Sequence, residues 1–524
     1  MEAIYIIFIV FLVLLAISDL WVGVSNDAVN FLNSAIGSKA AKFRTIIIIA
    51  AMGVLTGAVL SDGMMDIARH GVVRPEMFSF KEIMFIYLAV MATDIILLDT
   101  FNSLGMPTST TVSMVFELLG AAFAFSILKM DGGEAMNFAH YMNTGKALSM
   151  IIAIFFSVAV AFVAGFLAQW ISRLLFSFRY SRGLKWKIGL YGGLASTSII
   201  WFMLLKGIRH MSIMTPEMIA WLDANTWLIL LSCFVGFTIL MQFLHMCKVN
   251  VFKIIVLMGT FSLATAFAGN DLINFIGVPL SGISSYQYWH DAGAGDTTTF
   301  MMDQLNGPAK TPFFYLFAAG LVMVAALAFS KKAHNVTKTE LNLASQDDGE
   351  SKFGKSKTAR GLYRFGRRVA IFFMKMTPRR WRNWIDARFD STIIEKEDGA
   401  AYDLVRASVN LVVSSLLIAL GTASQLPLST TYVTFMVAMA SSLADRAWSR
   451  KSAVSRITGV LSVIGGWFIT AAVAFVGTFM IAMLMHWGDI PVALITVVVG
   501  IIFLIHNNVR KSRKSKELSP KSKA

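Results

Sequence analysis

The sequence predicts an all-α, polytopic membrane protein that contains two inverted-topology repeats, with broken or re-entrant helices at a central site. Three observations support this prediction: apolar stretches of spanning length recur, basic clusters alternate with them, and two short motifs each occur twice. Hydrophobic residues make up 56% of the 524 residues and charged residues 15%, whereas a soluble domain carries about 25% charged residues. A helix of about 20 apolar residues is needed to cross the hydrocarbon core of a bilayer.

Thirteen apolar segments are predicted to span the membrane. They lie near residues 4–24, 45–65, 83–101, 111–128, 148–171, 187–206, 226–245, 254–270, 312–330, 406–424, 431–443, 457–484 and 490–505. Segment 431–443 is short and would also suit half of a re-entrant pair. The first segment is too long for a cleavable signal peptide, and no basic region precedes it. We therefore expect a multi-pass protein of the cell membrane (the inner or plasma membrane).

The net charge of +15 lies mainly in two segments, because residues 331–405 and 510–524 each have a net charge of +6. Other basic clusters follow the first, fifth, seventh and eleventh spans. Basic residues in short loops are retained on the cytoplasmic side, which predicts an N-terminus outside and every cluster inside. Topology thus explains the charge, and we expect no nucleic acid partner. Cys233 and Cys247 form neither a disulfide framework nor a metal-ligand pattern.

These features divide the chain into six parts. They are a first repeat (1–171), connecting transmembrane helices (172–253), the first part of the second repeat (254–330), a basic cytoplasmic loop (331–405), the second part of the second repeat (406–509) and a basic cytoplasmic tail (510–524). In the loop, arginines alternate at helical spacing with Leu362, Phe365, Val369, Phe372, Phe373 and Met376, and Trp381 and Trp384 follow. This predicts an amphipathic helix, either on an anionic leaflet or against the protein's own inner face.

An internal repeat is visible in two motifs. Ser25-Asn26-Asp27-Ala28-Val29-Asn30-Phe31 matches Gly269-Asn270-Asp271-Leu272-Ile273-Asn274-Phe275 at an offset of 244. Pro107-Thr108-Ser109-Thr110-Thr111 matches Pro427-Leu428-Ser429-Thr430-Thr431 at an offset of 320, and the segment 331–405 accounts for the difference. Seven spans separate the starts of the two spans that carry the first motif. Because seven is odd, the halves are predicted to run in opposite directions, as in many secondary transporters.

The first motif places an acid inside the membrane. Asp27 and Asp271 are costly there, and a cation would offset their charge. With Asn30 and Asn274, they offer the oxygen ligands that hard cations prefer, so these four residues are our candidate Na⁺ ligands. The alternative is that they cap a helix.

The second motif predicts a helix start, because Pro presets the first turn and Ser or Thr caps free N–H groups. Helix N-termini bind anions. We therefore predict an oxyanion between the two starts, contacted by Ser109, Thr110, Thr111, Ser429, Thr430, Thr431, Asn26 and Asn270. The alternative is hydrogen bonding between helices.

Further acids lie in or beside the spans. Asp62 and Asp66 suit polar contacts near the outer surface. Asp94, Asp99 and Glu117 have no acidic counterpart in the second half. They would supply an extra cation site, a proton relay or structural pairs.

At these motifs the sequence resembles the inorganic phosphate transporter (PiT) family. The resemblance implies phosphate transport coupled to Na⁺ or H⁺, without other cofactors, and places the four motif copies around the substrate and cations. The family's His after Ser-Thr-Thr is replaced by Val112 and Tyr432, and the leading Gly of its signature by Val24 and Ala268. Sulfate or another tetrahedral oxyanion is the alternative substrate.

Other classes of protein fit the sequence less well. An enzyme would need a nucleophile–base pair or a metal cluster, and an ATP-driven pump a Walker A motif; the sequence displays neither. An anion channel would transport without a cation gradient. The expected partners are inorganic phosphate, a monovalent cation and the bilayer, with a homodimer as a candidate assembly.

Overall fold

The computed structural model describes residues 2–104, 108–131, 137–201, 214–307, 311–329, 356–390, 392, 394–447 and 453–517. Within these ranges the chain is helical, and pairing between extended segments is limited to two isolated bridges, Val73 with Met142 and Ser79 with Met301. The all-α prediction is therefore confirmed. Residues 331–355 of the predicted basic loop, like Pro107, lie outside the described residues.

The described α-helices follow one another along the chain. They are α1 (Glu2–Gly37), α2 (Phe43–Val59), α3 (Asp66–His70), α4 (Phe80–Leu104), α5 (Thr110–Asp131), α6 (Phe138–Tyr141), α7 (Thr144–Leu175), α8 (Lys187–Ile200), α9 (Pro216–Met246), α10 (Val251–Asp291), α11 (Phe313–Phe329), α12 (Lys357–Met376), α13 (Arg379–Arg388), α14 (Leu404–Ala423), α15 (Thr430–Ala444) and α16 (Ala453–Glu517). The backbone of Asp489 is not helical (φ 51°), so α16 consists of two helical parts.

Eight of the described helices are long and apolar enough to cross a membrane, and α2 with α3 forms a ninth candidate that is bent by 57°. The number of candidate spans is lower than the thirteen predicted from the sequence, for three reasons. α16 contains two predicted spans, α11 and α15 are shorter apolar helices, and α8 is described only as far as residue 200. The chain is a multi-pass membrane protein.

The two helices that carry the Asn-Asp motif are longer than predicted. α1 has 36 residues and α10 has 41, whereas the predicted spans end at residues 24 and 270. At 1.5 Å per residue, α1 is about 54 Å long. The predicted ends were wrong because polar residues interrupt the apolar runs there. The helices continue through them, since their polar groups are buried against other helices.

α1 and α10 run in opposite directions between two faces of the molecule. At one face, which we call the outer face, Glu2 of α1 accepts a hydrogen bond from Tyr286 near the end of α10 (3.1 Å). At the other, the inner face, the carbonyl of Gly37 accepts from Ala401 (2.8 Å). Lys253, at the start of α10, forms an ion pair nearby with Glu397 (2.7 Å). These contacts are those of antiparallel helices, while the inverted-repeat relationship of the halves stays a prediction.

Two helical hairpins approach the middle from these faces. In the first, α4–α5, Lys129 near the end of α5 pairs with Glu82 near the start of α4 (2.9 Å), so both outer ends lie together. In the second, α14–α15, Arg173 bridges Asp403 before α14 (2.7 Å) and Asp445 after α15 (2.8 Å). Each hairpin therefore has its base at one face and its tip inside the protein.

The inner base of the second hairpin is held by a buried ion network. Arg173 belongs to α7, and its guanidinium and both carboxylates are inaccessible to solvent. Gln169, one turn earlier, donates to Asp445 (2.7 Å), and the guanidinium lies 3.9 Å from the ring centroid of Phe178. The network thus ties the last helix of the first half to the second hairpin.

We predict that Arg173→Gln destabilises the protein strongly, because it removes the buried guanidinium that bridges two buried carboxylates. Breaking a buried pair costs about 3–5 kcal/mol, whereas an exposed pair contributes about 0–1 kcal/mol. The matched control is Lys253→Gln, in the exposed pair with Glu397. Thermal unfolding in detergent should give a Tm many degrees lower for the first variant only. Equal shifts in Tm for the two variants would contradict this role of the network.

Candidate functional site

The two copies of the Asn-Asp motif lie in the interior of long helices. Asp27 and Asn30 project from α1, and Asp271 and Asn274 from α10; none of the four is more than 6% exposed. Because the residues on either side are helical, the alternative that these side chains cap a helix is excluded. Their polar groups must instead be satisfied by contacts with other helices or with a ligand.

Both Ser-Thr-Thr motifs begin a helix, as predicted. Ser429 precedes α15, and its hydroxyl accepts a hydrogen bond from the backbone N–H of Tyr432 (3.2 Å). Ser109 precedes α5 and accepts in the same way from Val112 (3.3 Å). The expected role of Pro is wrong for the described copy, because Pro427 lies two residues before the cap and outside the first turn.

The tips of the two hairpins touch each other. The hydroxyl of Thr111, in the first tip, lies 3.2 Å from the carbonyl oxygen of Leu428 in the second, and its single proton is shared between this oxygen and Asp271. Asn270 of α10 holds the same carbonyl through its Nδ2 (2.6 Å), and its Oδ1 accepts from the Leu428 N–H (3.2 Å). A motif helix and both hairpins therefore meet at one point inside the protein.

Each half also supplies an asparagine to the hydroxyls of the other half. Asn30 donates to Thr431 (3.1 Å), while Asn274 donates to Thr110 (3.2 Å) and Thr111 (3.0 Å). The contacts are reciprocal, since the α1 asparagine binds the second tip and the α10 asparagine binds the first. The structure thus brings together residues separated by more than 160 positions in the sequence.

The two acids receive hydrogen bonds from the hairpin tips. Asp271 accepts from Thr430 (2.5 Å) and Thr111 (3.4 Å), one residue from each tip, and from its neighbour Asn270 (2.6 Å). Asp27 accepts from Thr110 (3.5 Å) and from the half-buried Asn26 (3.2 Å). These hydroxyl and amide donors to Asp271 are all neutral, so hydrogen bonding stabilises its charge without neutralising it.

One acceptor atom at this centre is unsatisfied. The Oδ1 of Asn274 is buried and has no hydrogen-bond partner, although buried polar atoms normally have one. It belongs to the same side chain that holds Thr110 and Thr111. Amide, hydroxyl and carboxylate oxygens together suit a hard cation. Among the described residues, no group of three or more His, Cys, Asp or Glu side chains could hold a metal ion.

A second polar cluster lies beside this centre, and sequence analysis identified it only in part. The Ser113 hydroxyl is 3.0 Å from Asp94 and 2.7 Å from Glu117, and Asp19 of α1 is buried near Asp94 with one carboxyl oxygen, Oδ2, that has no hydrogen-bond partner. Asp19 was missed, although an acid within the first apolar segment is itself a signal of function. A hydroxyl has a single proton to donate. One of the two carboxyl groups at Ser113 must therefore carry a proton or share a cation.

The acids near the outer ends of helices make the expected polar contacts. Asp62 accepts a hydrogen bond from the backbone N–H of Thr311 (3.0 Å), and Asp66 lies 3.8 Å from His70. Asp99 is half-buried in α4, five residues after Asp94.

The fold and this centre define a multi-pass, all-helical membrane protein with buried acids, amides and hydroxyls where two hairpins meet. The model of the phosphate transporter family matches residues 23–339, and the chain belongs to that family. The family is one of transporters rather than enzymes. The matched region begins just before the first Asn-Asp motif and includes the first Ser-Thr-Thr motif and the second Asn-Asp motif.

Individual relatives match parts of the chain. A protein of Helicobacter pylori strain 26695 named "Putative phosphate permease" is 24% identical over 267 residues, which are 50% of this chain and 48% of that protein. "Putative phosphate permease Mb2302" of Mycobacterium bovis is 27% identical over 124 residues, 23% of this chain and 22% of that protein. The chain thus matches about half or less of the length of these relatives.

A solved structure has a similar fold. "The sodium-dependent phosphate transporter" superposes with a TM-score of 0.61 at 15% sequence identity. The superposition covers 92% of this chain and 99% of that one. The similarity therefore extends over the whole helical arrangement, including the second half, which the family model leaves largely unmatched.

We predict that Asn270→Ala loosens the second hairpin tip, because it removes both side-chain contacts to Leu428 and one donor to Asp271. Hydrogen–deuterium exchange should increase in residues 424–432. The matched control is Asn26→Ala, the equivalent residue of the first motif, whose side chain donates to Asp27 within its own helix. Unchanged exchange in Asn270→Ala, or the same increase in both variants, would contradict this role.

Proposed function

We propose that this protein is a secondary transporter that imports inorganic phosphate together with a monovalent cation, Na⁺ in the leading form of the proposal. The observation that carries it is the meeting of two helix N-termini with the carboxylates of Asp27 and Asp271. Helix N-termini favour an oxyanion and buried carboxylates favour a cation. A centre that contains both suits the joint binding of the two.

In this proposal, the phosphate lies between the two helix starts. The hydroxyls of Ser109, Thr110 and Thr111, and of Ser429, Thr430 and Thr431, would donate to its oxygens, with Asn26 and Asn270 at the edge. Several of these hydroxyls now bond to Asp27 or Asp271. They would exchange those contacts for phosphate when a cation occupies the carboxylates.

The cation would bind at the Asn-Asp motifs. Asp27 with Asn30 forms one candidate ligand pair, and Asp271 with Asn274 the other, for which the unsatisfied Oδ1 of Asn274 is a supporting observation. A cation next to a divalent anion lowers the cost of burying either one. Binding of one therefore strengthens binding of the other, and this mutual effect is the basis of coupled transport.

Alternating access would follow from the predicted inverted repeats. Hairpin α4–α5 has its base at the outer face and α14–α15 at the inner face. Movement of one hairpin base away from its neighbours would open a path from that face to the tips. The buried Arg173 network then favours the state in which the inner path is closed.

The solved structure with the similar fold is called sodium-dependent, and this name favours Na⁺ as the coupling ion. The cluster of Asp19, Asp94 and Glu117 favours H⁺ as the alternative, because its geometry requires a proton or a shared cation. Uptake driven by an imposed pH gradient without Na⁺, and lost in Glu117→Gln, would select the proton.

We predict that Asp271→Asn abolishes cation-dependent phosphate uptake into proteoliposomes. The substitution keeps the size of the side chain but removes the charge that the cation would offset. The control is Asp223→Asn, an exposed acid in α9, which should retain uptake within about twofold of wild type, since surface substitutions have small effects. Wild-type uptake by Asp271→Asn would exclude the cation role of this residue.

We also predict that excess sulfate competes poorly with labelled phosphate. Monohydrogen phosphate carries an O–H that can donate to Asp27 or Asp271, whereas sulfate has none. A buried acceptor without a donor is costly, so the site should discriminate between the two anions. Equal inhibition by unlabelled sulfate and unlabelled phosphate would instead favour the sulfate alternative.

A further inference from the structure

The segment from α12 to α13 is strongly basic and bears exposed apolar groups. Residues 357–388 contain ten Lys and Arg and a single acid, Asp386. The arginines at positions 360, 364, 367 and 368 are exposed. They form one side of α12, opposite the apolar positions predicted from the sequence.

This segment is fixed to the inner face at two points. The N–H of Ser356, just before α12, donates to the hydroxyl of Thr458 near the start of α16 (3.2 Å). Asp386 of α13 pairs with Arg446, just after the end of α15 (2.9 Å). The segment therefore lies beside the inner ends of spanning helices, at the level where the headgroups of the inner leaflet must be.

The apolar side of the segment is only partly covered by protein. Ala359 is fully buried next to α16, whereas Phe372 is 59% exposed and Met376 is 68% exposed. Trp381 and Trp384 of α13 are 66% and 46% exposed. Packing against the protein's own inner face therefore covers Ala359 and leaves roughly half or more of each of these four large side chains accessible.

We propose that α12 and α13 form a binding surface for anionic phospholipids of the inner leaflet. Exposed aromatic side chains beside a row of arginines match the boundary between headgroups and acyl chains, where tryptophans and arginines are favoured. The partner is a lipid rather than a soluble protein because the surface is attached to spanning helices at bilayer level. The phosphate-binding centre plays no part in this inference.

The test uses the full-length protein with both native cysteines replaced (Cys233→Ser, Cys247→Ser). A single cysteine is introduced at Met376 or Trp381 and labelled with an environment-sensitive fluorophore. The protein is reconstituted into nanodiscs of phosphatidylcholine alone, or of phosphatidylcholine with phosphatidylglycerol, each with brominated acyl chains for quenching. Ala292, which is exposed just after α10 at the outer face, provides the control position.

We expect a blue shift and bromine quenching at positions 376 and 381 that are greater with phosphatidylglycerol. The triple variant Arg364→Gln, Arg367→Gln, Arg368→Gln should lose most of this difference, because each basic residue near an anionic surface contributes attraction. The same three residues changed to Lys should retain it, which separates charge from misfolding. Quenching no greater than at position 292, no dependence on phosphatidylglycerol, or no effect of the Gln substitutions would overturn the proposal.

Discussion

The burial of Asp27 and Asp271 inside membrane helices is the constraint on which the rest of the arrangement depends. A carboxylate there must be surrounded by donors, and helices α1 and α10 have no free backbone N–H groups to offer at these positions. The donors come from Thr110, Thr111 and Thr430, at the first turns of two other helices. Both hairpins must therefore turn back inside the protein rather than at its surface.

Ion pairs hold the base of each hairpin, and the pairs at the two faces differ in how deeply they are buried. At the inner face, Arg173 is fully buried between two aspartates, and at the outer face Lys129 and Glu82 form a partly exposed pair. The two ends thus differ in how strongly they resist opening, because buried pairs are costly to break and exposed pairs are not. The proposed transport of an anion and a cation through one centre would require that such contacts exchange in turn.

The sequence predicted much of the fold and the members of the centre, because both depend on local signals. Apolar length identifies the spans, and Ser109 and Ser429 identify helix starts by their capping chemistry. Contacts across the repeats could not be predicted: no local pattern pairs Asn30 with Thr431, or Asn274 with Thr110 and Thr111.

The ends of α1 and α10 were misplaced for a related reason, since polar residues that other helices satisfy look like loop residues when read alone. Asp19 lay within an apolar run and was overlooked although its burial is costly.

We propose that the two hairpin tips form one binding centre. A double-mutant cycle tests it most directly, with phosphate affinity measured by calorimetry in the presence of Na⁺ for wild type, Thr111→Val, Thr430→Val and the double variant. Thr111 and Thr430 come from different tips and share Asp271, so we expect weaker binding in each variant and a coupling energy of about 0.5–3 kcal/mol. Effects that add within about 0.3 kcal/mol, or affinities that do not change, would contradict it.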